Sequence, residues 1–193
     1  MLTRLKRNAQ SEHVAANIDR LSLLHVEAEP QRYRDYLLKI YGFEAPVEAA
    51  LAATAGLPAV LDHGARSHLK MLRADLADLG LTEVSGPLCR TVPTSFGSVG
   101  EALGWMYVVE HNATLHGQVR RHLHKHIGPQ RDSYLLAGER NGSTRVNELG
   151  ALLDRFAREP ETARLVVEAV KLAFRRQRQW FARAMPPVDI RVA

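Results

Sequence analysis

A single all-helical domain is what this sequence predicts, and three observations carry that expectation. Apolar residues recur every three or four positions along most of the chain, the spacing of one helix face. No stretch alternates apolar and polar residues as a half-buried strand would. Prolines and glycines fall where helices start and stop. At 193 residues and 46% hydrophobic content the chain suffices for one substantial core, so residues 1–193 are read as one domain.

From Leu2 to Leu24, helical spacing is kept by Leu2, Leu5, Ala9, Val14, Ala16, Ile18 and Leu21. Pro30 stands before a helix from Gln31 to Tyr41, where proline is welcome because a first-turn N–H has no partner. Tyr33, Tyr36, Leu37, Ile40 and Tyr41 form its buried stripe. Pro46 is expected to open a third helix, Val47 to Ala55. A fourth runs from about Ala65 to Leu79, with Leu69, Leu72, Leu76 and Leu79 on one face and Gly80 as its stop. Gly86, Pro87 and Pro93 make Gly80 to Gly97 a connector. Ser98, with Glu101 three residues on, has capping-box spacing and launches a helix that Gly128 and Pro129 end. Then follow a short helix from Asp132 to Leu136, a turn from Gly138 to Ser143, a helix from Thr144 to Ala157, and a last one from Pro160 to Met185, closed by Pro186 and Pro187.

Composition excludes several kinds of chemistry. No apolar run approaches the ~18 residues of a membrane span, and MLTRLKRNAQSEH lacks the apolar centre of a secretory signal, so a cytoplasmic location is expected. Cys89 is the only cysteine, which rules out an intrachain disulfide and any metal site built on several thiolates. The net charge is +5, with basic clusters at Arg4 to Arg7, Arg120 to Lys125 and Arg175 to Arg183. That balance suits an anionic partner; with no nucleic-acid reading motif beside it, nucleic acid is not expected. Glu-x-x-His pairs, a GxSxG elbow and a P-loop are all missing. His122 and His126 lie one helical turn apart, the spacing for a divalent metal; a solvated basic face among Arg120, Arg121 and Lys125 is the competing reading.

The stretch that breaks the helical pattern is EALGWMYVVEHNATLHGQVRRHLHKHI. Its front half is apolar, and then Glu110, His111, Asn112, Thr114, His116 and Gly117 fall where more core is wanted. A glycine within a helix costs ~1 kcal/mol against alanine. Gly117 therefore points to close approach of a neighbouring helix or a ligand; a polar seam between helices that merely tolerates the glycine is the competing reading.

Five segments, in order and spacing, resemble the haem oxygenase family, in particular the bacterial biliverdin-producing enzymes associated with bacteriophytochromes. LKRNAQSEH looks like the family's proximal segment, YRDYLLKIYGFEAPVEAAL like its second and third helices, and LRADLADLG like its Asp-Leu-x-x-Leu-Gly segment. ALGWMYVVEHNATLHGQV is similar to the distal helix, and the stretch to Phe174 to the last core helix. The resemblance implies haem as both substrate and activator of oxygen, cleaved to biliverdin, carbon monoxide and ferrous iron. Electrons would come from a ferredoxin or other external reductase, and a bacteriophytochrome would be a possible partner.

Carried over residue by residue, His13 becomes the proximal iron ligand, with Asn112, His116 and Gly117 distal. Lys6, Tyr107, Arg175 and Arg176 become candidates for the haem propionates, with Phe174 and His111 at the haem. The distal stretch departs from the family. Counted back from Gly117, two family glycines fall on Asn112 and His116; anchored on Tyr107 and Glu110, the helix gains one residue. A side chain there implies a sixth ligand to the iron, His116 in the first alignment or His111 in the second. A bis-histidyl haem-binding protein and a haem-free interaction scaffold are the alternatives to the enzyme.

Overall fold

In a computed structural model the chain is described over residues 1–27, 29–81, 88–129 and 131–184. The expectations placed on Gly86, Pro87, Met185, Pro186 and Pro187 lie outside them. Eight α-helices and three short 3-10 turns make up the described residues, with no strand among them. The helices are α1 (Leu2–Asn8), α2 (Gln10–Arg20), α3 (Pro30–Ala52), α4 (Leu69–Asp78), α5 (Val99–Ala113), α6 (His116–Ile127), α7 (Ser133–Phe156) and α8 (Pro160–Phe181). The all-α class holds.

α5 is the central element. Ala102, Leu103, Trp105, Met106, Tyr107 and Val108 are all buried, and a helix apolar on every side can only sit inside. It packs chiefly on α8 and α7, while α2 lies on α8 and α6 on α7. Ser98 caps α5 as the spacing predicts, accepting from the Glu101 N–H at 3.1 Å. The Glu101 carboxylate reaches back one residue further, to the Gly97 N–H at 2.9 Å.

Among the boundaries that differ from the sequence expectation, four stand out. The first helix breaks at Ala9, which is fully buried with φ −118°. α3 runs unbroken through Pro46. Proline cannot donate to the carbonyl four residues back, and here the Gly42 carbonyl accepts instead from the Cys89 N–H at 2.8 Å. The expected turn at Gly138 to Ser143 is helical, inside α7. A Cβ on Gly138 would lie 2.1 Å from the His116 ring, and one on Gly142 2.9 Å from the Ala113 backbone. Those glycines admit α5 and α6 rather than end a helix. Finally, the distal stretch divides at Thr114 and Leu115 into α5 and α6.

The end of α8 is clasped to α3. The Trp180 indole donates to the Lys39 carbonyl and the Lys39 ammonium to the Phe181 carbonyl, both at 2.7 Å. α5 and α8 cross closely at Gly104, where a Cβ would meet the Ala169 Cβ at 2.6 Å and the Val166 carbonyl at 2.9 Å. Neither is a flexible side-chain end, so Gly104→Ala must push α5 and α8 apart. A loss of about 1–3 kcal/mol of unfolding free energy is expected, measured by urea titration of tryptophan fluorescence; an unchanged midpoint would contradict the close crossing.

Candidate functional site

α2 turns His13, Asn17 and Arg20 to one side, because residues four and seven apart share a helix face. Opposite stand Tyr107 and His111 of α5 and His116 of α6. The two sets meet in three rungs. His13 Nε2 is 2.9 Å from the Tyr107 hydroxyl, and its ring lies 3.9 Å from the His111 ring, centroid to centroid. His111 Nε2 is 3.1 Å from Asn17 Oδ1. Arg20 Nη2 is 3.1 Å from His116 Nε2. Phe174 of α8 closes one side, edge-on to His13 at 4.8 Å.

Partner chemistry sets the protons. A guanidinium only donates, so His116 Nε2 accepts. An amide oxygen only accepts, so His111 Nε2 carries its proton toward Asn17. Burial pushes the Tyr107 hydroxyl up to about 12, which keeps it protonated to donate to His13. Burial, with Lys6 nearby, pushes His13 down to about 4. Burial, then the charge of His13 and of Lys6, pushes His111 down to about 3. Burial first, and then Arg20, holds His116 well below the ordinary histidine range. All three imidazoles are neutral at physiological pH.

Behind the third rung lies a polar hub that motif reading did not find. Arg20 is fully buried. Its Nη1 is 3.5 Å from Glu44 Oε1, and the guanidinium carbon lies 5.9 Å from the Tyr36 ring centroid and 5.6 Å from that of Phe181. Burial works against its charge, but Tyr36, Tyr134 and Glu44 outweigh that and favour the charged form. Tyr134 donates to the Glu44 carboxylate at 2.8 Å, and burial still pushes Glu44 up to about 7. Beside the hub, Glu110 is bound by Arg66 at 2.7 Å. A polar cavity of about 20 Å³ there is lined in part by Glu44, Glu48, His68 and Arg145, room for one water.

The remaining sequence candidates disperse. Asn112 is buried and paired with Gln177 of α8 through the two amides, at 2.7 and 3.4 Å. Gly117 faces α7, where a Cβ would meet the Glu139 carboxylate at 3.1 Å. His116 belongs to the Arg20 hub, so the imidazole that faces His13 is His111. Lys6 is exposed and acts on both His13 and His111. Arg175 is exposed near Glu12 at 3.4 Å, and Arg176 reaches Gln179 at 3.2 Å. Asn17, Arg20, Glu44, Tyr134 and Gln177 were not singled out by sequence; the only signal was Arg20 falling seven residues after His13 on the same face.

Comparison with protein-family models, with curated proteins and with solved structures finds no match. The site therefore rests on its own chemistry. Two neutral imidazoles, an aromatic ring and a cationic rim form a donor set that fits an iron porphyrin bearing carboxylates. Its spacing is that of a closed site. Two imidazoles on opposite sides of one iron place their nitrogens about 4 Å apart, at about 2 Å per bond, with the ring centroids further still. At 3.9 Å between centroids the rings must part before a macrocycle enters.

The depressed imidazoles make stability depend on acid. Unfolded histidine takes its proton near pH 6.5, whereas folded His13 and His111 resist to about 4 and about 3. Their contribution is present above about pH 6.5 and is lost as pH falls, because the unfolded chain then binds protons that the fold refuses. His111→Leu should lose stability less steeply on acidification, by up to about 1.4 kcal/mol per pH unit below that point. Urea unfolding from neutral pH down to about pH 5 reads this; a wild-type slope in the variant would mean that His111 titrates freely in the fold.

Proposed function

We propose that this chain is a haem-binding protein on a haem oxygenase-like scaffold, in which His13 and His111 would hold the iron. The observation that carries this reading is the pair itself: two neutral imidazoles facing each other across the α2–α5 seam. Haem, when bound, supplies a redox-active iron. The chain's part is to release and orient. His13 would give up the Tyr107 hydroxyl, and His111 would give up Asn17 and carry its proton on Nδ1 instead, which frees both Nε2 lone pairs, while Lys6 and Arg175 would offer cations to the propionates and Phe174 an apolar edge.

Oxidative cleavage to biliverdin stands second. It needs an open face opposite His13, and α5 presents the His111 ring there, with Asn112 and His116 tied to Gln177 and Arg20. A ferredoxin or other reductase, and a bacteriophytochrome, would enter only with that reading.

Titrating tag-free protein with hemin tests the proposal. The expected result is a saturable Soret band of low-spin type that persists with ascorbate in air. His13→Ala should abolish it, and His111→Ala should shift it toward a high-spin or water-ligated form. Decay into the broad red absorption of biliverdin would replace this reading with the oxygenase; no saturable change would leave a haem-free interaction scaffold.

A further inference from the structure

The pair His122 and His126 on α6 plays no part in the seam, yet it has a geometry that the seam lacks. Their ring centroids are 4.4 Å apart and their planes are tilted by 42°. Two imidazoles bound side by side to one metal, at about 2 Å per metal–nitrogen bond, put their centroids about 4.5–5 Å apart. These rings need almost no movement to reach that arrangement.

Burial first, and then His126, act against the protonated form of the His122 ring, while the backbone at Val26 and Leu23 lies close enough to favour it. Its Nε2 is enclosed and has no hydrogen-bond partner among the described residues, so no protein group is seen to hold that nitrogen. His126 is exposed, which leaves the pair open to solvent on one side.

Electrostatics, which opposed a cation when only the sequence of charges was considered, is milder in the fold. Arg120 is bound to Asp132 at 2.7 Å and to Glu139 at 3.0 Å, and Arg121 to Glu139 at 3.2 Å. Lys125 still acts against a cation at His122. Against it, α6 ends at Ile127, so the pair sits by the last-turn carbonyls, the negative end of the helix dipole.

We propose that His122 and His126 form a surface site for a late first-row divalent transition cation, with water completing its coordination. Imidazole donors suit Cu2+, Ni2+ and Zn2+, and Cu2+ is held most tightly of these by a given site. The site is independent of haem.

The test uses tag-free protein titrated with Cu2+ near neutral pH, followed by calorimetry and electron paramagnetic resonance. One ion per chain at micromolar Cu2+, with hyperfine coupling to two nitrogens, is expected. His126→Ala and His122→Ala should each weaken uptake by more than the ~10-fold that losing an outer-shell partner costs. His126→Ala changes an exposed side chain, so its folding is not at issue. His124→Ala should bind as wild type, because His124 is occupied with Asp132 at 2.7 Å. Uptake unchanged in the doubly substituted His122→Ala/His126→Ala protein, or no saturable uptake in wild type, would overturn the assignment.

Discussion

Arg20 carries a charge that cannot reach water, and five helices are arranged around that constraint. α3 supplies Glu44 and Tyr36, α6 His116, α7 Tyr134 and α8 Phe181. A buried ion pair adds little net stability against an apolar replacement, but removing one partner alone is severe, because a naked charge remains. The hub therefore acts mainly on geometry. With Arg20 pinned, the register of α2 is pinned, and His13 two turns earlier is delivered to Tyr107, His111 and Phe174.

That delivery explains the contrast between the two histidine pairs. His13 and His111 come from different helices, each filling the space before the other, and the hydrogen bonds to Tyr107 and Asn17 hold them there. Opening this pair means loosening a helix contact. His122 and His126 share one helix, so their separation is set by the α-helical repeat, and admitting a metal ion between them disturbs no packing between helices. One pair is held closed by packing between helices, the other is not.

The sequence was informative where a residue's effect is local. Ser98 with Glu101, the apolar run from Leu103 to Val108 and the stripe from Tyr33 to Tyr41 correctly marked a cap, a central helix and a buried face. It misled where a residue serves a partner distant in the chain. Gly138 and Gly142 look like a turn unless α5 and α6 are known to press on them; Pro46 looks like a helix start unless Cys89 is known to take the carbonyl it orphans. Arg20 looks like an ordinary surface arginine, since no local pattern says that Glu44 and Tyr134 lie across from it. His13, Tyr107 and Phe174 were legible through a resemblance, and the structure brings them together. The choice of His111 over His116 was not legible, because it depends on the phase of a broken helix.

That phase is the crux of the distal stretch. In an unbroken helix, residues five apart point about 140° away from each other, so His111 and His116 could not both face α2. Thr114 breaks the pattern: its hydroxyl donates to the His111 carbonyl at 2.7 Å and its N–H to the same carbonyl at 3.0 Å, while the Leu115 N–H goes back only to Asn112. This tightened turn restarts the helix with a new phase, and His111 then meets Asn17 while His116 meets Arg20. The break and the two histidines thus form one connected feature. Without the break, His116 would leave Arg20 with one fewer acceptor in the core; with it, side chains of α5 and α6 together draw α2 onto both helices.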